Sequence, residues 1–94
     1  MRIGEVIGNV TLARAHPNLA GFRWVIVVPC SYAALAEDRR GDGEDLVALD
    51  ELGAGAGSRV GFSEGVEAAM PFHPEKKPVD AYCACILDRV EVRG

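Results

Sequence analysis

Five consecutive small residues, Gly53-Ala54-Gly55-Ala56-Gly57, invite the first chemical question, because a backbone stripped of side chains can close around a phosphate. A dinucleotide fingerprint needs glycine at its first, third and sixth positions, after a strand and opening a helix. Gly53 and Gly55 meet two of these requirements, but the sixth position is Ser58. The residues that follow, Arg59-Val60-Gly61-Phe62, read as a strand and supply no helix N-terminus for a pyrophosphate. No Lys-Ser/Thr pair follows either, so the stretch is not a P-loop. The remaining reading is a backbone that needs positive φ or packs closely against another chain.

Cys83 and Cys85 are two apart, so on a strand they share a face, and with Cys30 and either histidine they outline a zinc site. Structural zinc pairs sit on turns, where both sulfurs converge on the metal, and an extended C-x-C does not do this. The expectation is three small, buried thiols. His16 and His73 both adjoin proline and read as solvated loop residues. No spacing nominates a nucleophile–base pair. Acidic residues at 37–38, 42, 44–45 and 50–51 resemble a calcium-ligand run, but two arginines interrupt it and the loop register is missed, which leaves a solvated hairpin tip. The sequence therefore predicts no catalytic residue, no metal ligand and no cofactor, and a protein that is not an enzyme.

The elements that must position these residues are mostly strands. Residues 3–13 are rich in β-branched side chains and interrupted by Gly4 and Gly8, as at a bulge, a bend or a close backbone approach. A turn cluster follows over 16–21. Residues 22–29 form the clearest strand, anchored by Trp24 and stopped by Pro29. A short capped helical turn is predicted over 31–38 and a tight turn over 41–43. Strands at 46–50 and 59–63 flank the glycine loop. About two helical turns are predicted over 64–70 with Ser63 as N-cap, then a loop carrying Lys76 and Lys77, and a long final strand over 80–92. Five strands with glycine bends predict an all-β fold, a five-stranded OB-like closed barrel with one or two short helical segments.

Ninety-four residues, 49% of them apolar, suffice for one compact domain spanning 1–94. So small a domain is often marginally stable alone, which favours association with further copies. The formal charge is −4 and the ten basic side chains are scattered, which disfavours nucleic acid and anionic membranes as partners. No apolar run reaches the length of a membrane span, and the alternating N-terminus lacks a signal-peptide core, so a cytoplasmic location with free thiols is expected.

The opening Met1-Arg2-Ile3-Gly4-Glu5-Val6-Ile7-Gly8-Asn9-Val10, followed by Ala13-Arg14, resembles the pentameric vertex proteins of bacterial microcompartments, the ethanolamine-utilisation and carboxysome type. So do the stretch from Leu46 to Gly57, with its Asp followed by Gly-Ala-Gly-x-Gly, and Pro78-Val79-Asp80-Ala81 continuing to Val90. The resemblance spans essentially the whole chain. Gly65-Val66-Glu67-Ala68-Ala69 lacks the arginine that members commonly carry there, and residues 30–40 carry no family signature.

The resemblance implies a cyclic homo-pentamer that caps the vertices of a polyhedral shell, with hexameric or trimeric shell proteins as partners, inside the cytoplasm. It also implies that Gly53, Ala54, Gly55, Ala56 and Gly57 rim a narrow opening at the five-fold axis. Asp50, Glu51 and Arg59 flank this loop and are placed to bias which ions approach. A second reading, an OB-fold-like module for single-stranded nucleic acid, needs a basic groove with stacked aromatics, whereas aromatics are 6% of this acidic chain. A redox or metal role for the cysteines ranks below it.

Overall fold

The computed structural model describes residues 1–10, 22–73 and 79–92. Five strands, β1 (Arg2–Val10), β2 (Arg23–Pro29), β3 (Leu46–Asp50), β4 (Arg59–Glu64) and β5 (Ala81–Leu87), close a barrel in the order β1-β2-β3-β5-β4. Every neighbouring pair is antiparallel except β3 and β5, which meet in parallel at Leu49 and Tyr82. Two short helices, α1 (Tyr32–Ala36) and α2 (Val66–Ala69), complete the elements, α2 running on into a 3₁₀ turn at Met70–Phe72. No helix is long and apolar enough to cross a membrane among the described residues.

Strand alternation divides the apolar side chains into two cores. Val6, Val25, Val27, Ala48, Val60, Phe62, Ala81 and Cys83 point inward and fill the barrel. Trp24, Leu49 and Tyr82, one residue out of phase, point outward and meet Ala68 and Val79 beneath α2, with Phe22 and Phe72 stacked at the edge. Full burial of side chains of this size contributes about 1.5–3 kcal/mol each, so both layers matter to so short a chain. At Gly4 the barrel wall is too close for a side chain: a Cβ there would overlap Val27 Cγ1 and lie 3.0 Å from Phe62 Cε1.

Two bulges decide which residues reach which core. In β1, Val6 pairs with Val27 but Gly8 pairs with Ile26, leaving Ile7 as the extra residue. Val6 therefore faces the interior and Val10, four residues on, joins the outer cluster. In β5, Cys83 pairs with Phe62 and Cys85 with Gly61, leaving Ala84 extra.

Several sequence expectations are corrected here. Cys83 and Cys85 do not share a face: the bulge at Ala84 keeps Cys83 in the barrel and turns Cys85 outward over Gly61, where a Cβ would lie 2.7 Å from its Sγ. Cys83 alone of the three cysteines is buried; Cys30 and Cys85 are half-buried. The last strand ends at Leu87 instead of continuing to 92, because Leu87 pairs with Arg59, the first residue of β4, and no partner backbone remains beyond it. Ser63 belongs to β4 and does not cap α2; Gly65 takes that place, using φ of 64° to turn the strand into the helix. The acidic run is exposed at Glu37, Asp38, Asp42, Glu44, Asp45 and Glu51, as expected of a solvated tip, and departs from that reading at Asp50. Asp42 accepts hydrogen bonds from the Ser31 backbone N–H (2.8 Å) and hydroxyl (2.6 Å), and Asp50 is buried.

The helical turn expected over 31–38 is α1, with Ser31 as N-cap accepting from the Ala34 N–H at 3.1 Å. His73 is exposed, as expected. His16, Ala13, Arg14, the turn at 16–21, Lys76, Lys77 and Pro78 lie outside the described residues.

Candidate functional site

The glycine loop joins β3 to β4 at one end of the barrel, and a single carboxylate organises its first half. Asp50 closes β3 with its side chain wholly buried. Its Oδ1 accepts the Leu52 N–H at 2.9 Å and its Oδ2 the Ala54 N–H at 2.7 Å, the two-residue and four-residue reach that short Asp side chains use in turns. Asp50 pairs across the sheet with Arg23, whose Nη1 lies 2.6 Å from the same Oδ2. The other guanidinium nitrogen donates to Asn9 Oδ1 at 2.9 Å, so β1, β2, β3 and the loop meet at one charge-assisted network.

The second half of the loop is stitched to β1 by backbone alone. The Gly57 N–H donates to the Val6 carbonyl at 2.7 Å, the Val6 N–H to the Ser58 carbonyl at 2.9 Å, and the Ser58 N–H to the Gly55 carbonyl at 3.0 Å. Gly53 and Gly57 sit at φ of 84° and 92°, in the left-handed region where a side chain is strained. Ala54 drops its methyl into the barrel core. Gly55 differs from Gly53 and Gly57 in that its φ is not positive, and among the described residues nothing lies within 4 Å of a Cβ built at any of the three. The fold of one chain therefore gives no reason for glycine at 55.

The charges flanking the loop are engaged. Asp50 faces inward. Arg59 donates to the Arg39 carbonyl at 2.8 Å and lies 3.2 Å from Asp38. Glu51 is exposed and accepts the Tyr82 hydroxyl at 2.7 Å. That hydrogen bond, reinforced by burial, pushes the Tyr82 phenol up to about 12. Beyond Gly57 an open cleft of about 620 Å³ runs between α1 and the end of the chain, lined by Leu35, Arg59, Ile86, Leu87, Arg89 and Glu91 among others.

Two of the thiols, Cys83 and Cys30, are favoured in their protonated form. Burial, with help from the Asp50 charge, pushes Cys83 up to about 11. Burial also raises Cys30, against the opposing pull of Arg59. The thiolate is the nucleophile and the metal ligand, so both shifts work against either use. No three His, Cys, Asp or Glu side chains converge as metal ligands among the described residues.

Sequence reasoning identified the loop and missed its anchor. Asp50 reads as the last acid of a polar run, and its inward turn depends on pairing with Arg23, 27 residues away. The available signal was local: an Asp ending an apolar strand, with backbone N–H groups of a side-chain-poor loop two and four residues downstream.

Comparison with known proteins places the chain among relatives of the same length and shape. The family described as ethanolamine utilisation protein EutN/carboxysome matches residues 1–88. The chain is 33% identical over 96 residues to the carboxysome shell vertex protein CcmL of Gloeobacter violaceus, spanning 98% of this chain and 87% of that protein. It is 33% identical over 91 residues to the bacterial microcompartment shell vertex protein GrpN of Rhodospirillum rubrum, spanning 97% of each. The solved structure of Gloeobacter violaceus CcmL superposes with a TM-score of 0.84, covering 98% of this chain and 90% of that one. The pentameric GrpN shell protein superposes at 0.82 with 30% identity, covering 99% of this chain and 100% of that one. With nearly the whole length matched and the overall fold shared, the chain belongs to the EutN/carboxysome family of microcompartment shell vertex proteins.

Proposed function

We propose that this chain is a structural vertex subunit: five copies close into a ring that caps the corners of a polyhedral microcompartment shell in the cytoplasm, next to hexameric or trimeric shell proteins. Residues 53–57 lie near the five-fold axis of that ring, and the chain, working as one domain, carries no catalytic role. The observation that supports this most is Gly55. A position with ordinary φ and open space around it has no need of glycine within one chain, and the need arises where backbones of several chains converge. A ring also suits the small size of the chain, since a head-to-tail interface that closes adds buried surface without open-ended growth.

Native mass spectrometry tests the ring directly. Five copies of a 10.0 kDa chain give a species of about 50 kDa. A chain that stays monomeric or dimeric at every workable concentration ends the proposal. Gly55→Trp tests the loop's position: the variant should give a folded chain, seen by circular dichroism, yet fail to form the ring on its own. Normal rings from that variant would move the axis elsewhere.

The nucleic-acid reading finds little support in the side chains. Phe72 packs against Phe22 in a tilted arrangement and edge to face on Tyr82, at 5.7 and 5.6 Å between ring centres, in the outer cluster. Phe62 is in the barrel interior. On the outer face of β2 and β3, Ile26, Val28 and Val47 are aliphatic, where single-strand binding uses stacked aromatics in a basic groove. A fluorescence titration with oligonucleotides at low salt should give no micromolar binding.

A further inference from the structure

We propose that Asp50 is the positioning residue of the 53–57 loop: its buried carboxylate, held by Arg23, sets the path of the backbone that the ring presents at its axis. The consequence for assembly rests on the vertex reading above; the lock itself is a property of the single chain. The loop has almost no side chains with which to hold a shape. Ala54 is its one apolar anchor, and Gly53, Gly55 and Gly57 contribute none. Glycine-rich backbone has the widest conformational freedom, so a defined path requires fixed hydrogen-bond partners. The second half receives them from Val6 of β1. Among the described residues the first half receives them from Asp50, through the Leu52 and Ala54 N–H groups at 2.9 and 2.7 Å.

A carboxylate suits this task better than its neutral amide. Asp50 accepts three hydrogen bonds, two from the loop and one from Arg23 at 2.6 Å. An ionised carboxylate is an acceptor at both oxygens, whereas an amide offers one acceptor oxygen and one donor nitrogen. Asparagine at 50 would therefore set an N–H₂ against the Leu52 N–H, or against the Ala54 N–H and the Arg23 guanidinium. Arg23 completes the device by neutralising the buried charge, and its second bond to Asn9 ties the arrangement to β1. The same geometry withdraws the Asp50 charge from the loop surface. It steers nothing at the opening and shapes it instead.

Amide hydrogen exchange of the full chain, read by residue, tests the lock apart from the ring, because local opening is seen at individual amides. In Asp50→Asn the Leu52 and Ala54 amides should lose protection by about tenfold or more, while the β2 amides of Val25 and Val27 stay within about threefold of wild type. Ring formation by native mass should weaken in the same variant. Unchanged protection at Leu52 and Ala54 overturns the proposal. So does an equal loss at every amide, which would make Asp50 a general stabiliser and not a positioning residue. Should Asp50→Asn fail to fold, Arg23→Lys carries the test, since Arg23 is half-exposed and belongs to neither core. It keeps the charge but cannot bridge to Asn9, and the same selective or uniform pattern decides. A wild-type chain that forms no ring defeats the vertex reading and leaves the amide result standing. A wild-type ring with an indifferent Asp50→Asn defeats the lock and leaves the vertex reading standing.

Discussion

At Gly53 and Gly57 the backbone occupies the left-handed region, at Gly55 it does not, and a Cβ at any of the three would meet nothing within 4 Å. Conformational strain alone therefore separates them within a single chain. Alanine at 53 or 57 should cost about 1–2 kcal/mol, and alanine at 55 close to nothing, in urea unfolding at matched chain concentration. Equal costs at all three would show that the loop relaxes freely. A second test at this scale uses alkaline pH. Tyr82 titrates at about 12 against its ordinary 10.0, and Cys83 at about 11 against 9.0. The fold favours both neutral forms, so their contribution is complete below the unfolded values and is lost as pH rises through the window from 9 to 12. Tyr82→Phe removes one titrating group, and its urea midpoint should fall less steeply with pH above 10 than that of wild type.

Among the elements, α1 depends most on a local device. A five-residue helix has little stability of its own, and Ser31 and Asp42 hold its N-terminus alongside the burial of the single residue Ala34. Ser31→Ala should cost about 1 kcal/mol, with exchange quickening first in α1. The hydrogen bonds from Ser31 hold the Asp42 carboxyl below its ordinary 3.8. Its contribution is thus present above that value and is lost as pH falls through the lower, folded one, so α1 should loosen in acid ahead of the barrel. Asp42→Asn should remove that acid dependence in a pH series of exchange measurements. The strands were the legible part of the sequence, and for physical reasons. β2 announces itself by a β-branched run stopped by Pro29 and β3 by an apolar run leading into the glycine loop, while Gly4 marks a close approach and Gly8 adjoins a bulge. What stayed illegible depends on partners far along the chain. The outward turn of Cys85 is set by its register against β4, the end of β5 by where β4 begins, and the inward turn of Asp50 by Arg23. None of these leaves a periodic trace in its own segment.

For the whole molecule, the barrel with its outer layer beneath α2 leaves an aliphatic surface at Val47 and half-buried Ile26, and an open cleft between α1 and residues 86–92, two unlike faces on one body. Rings are built from unlike faces, since a self-complementary patch would stop at a dimer. The decisive measurement at this scale is the native mass, and a shift of the 50 kDa species on dilution would give the strength of each contact. The emptiness around Gly55 also has a genetic corollary. On the proposed placement at the five-fold axis, a chain carrying a large residue there should still fold and enter mixed rings with normal copies. In a cell making equal amounts of both, random mixing would leave only roughly three rings in a hundred free of the intruder. Such an allele should poison closure even beside an intact copy, whereas one that merely unfolds the barrel would remain recessive.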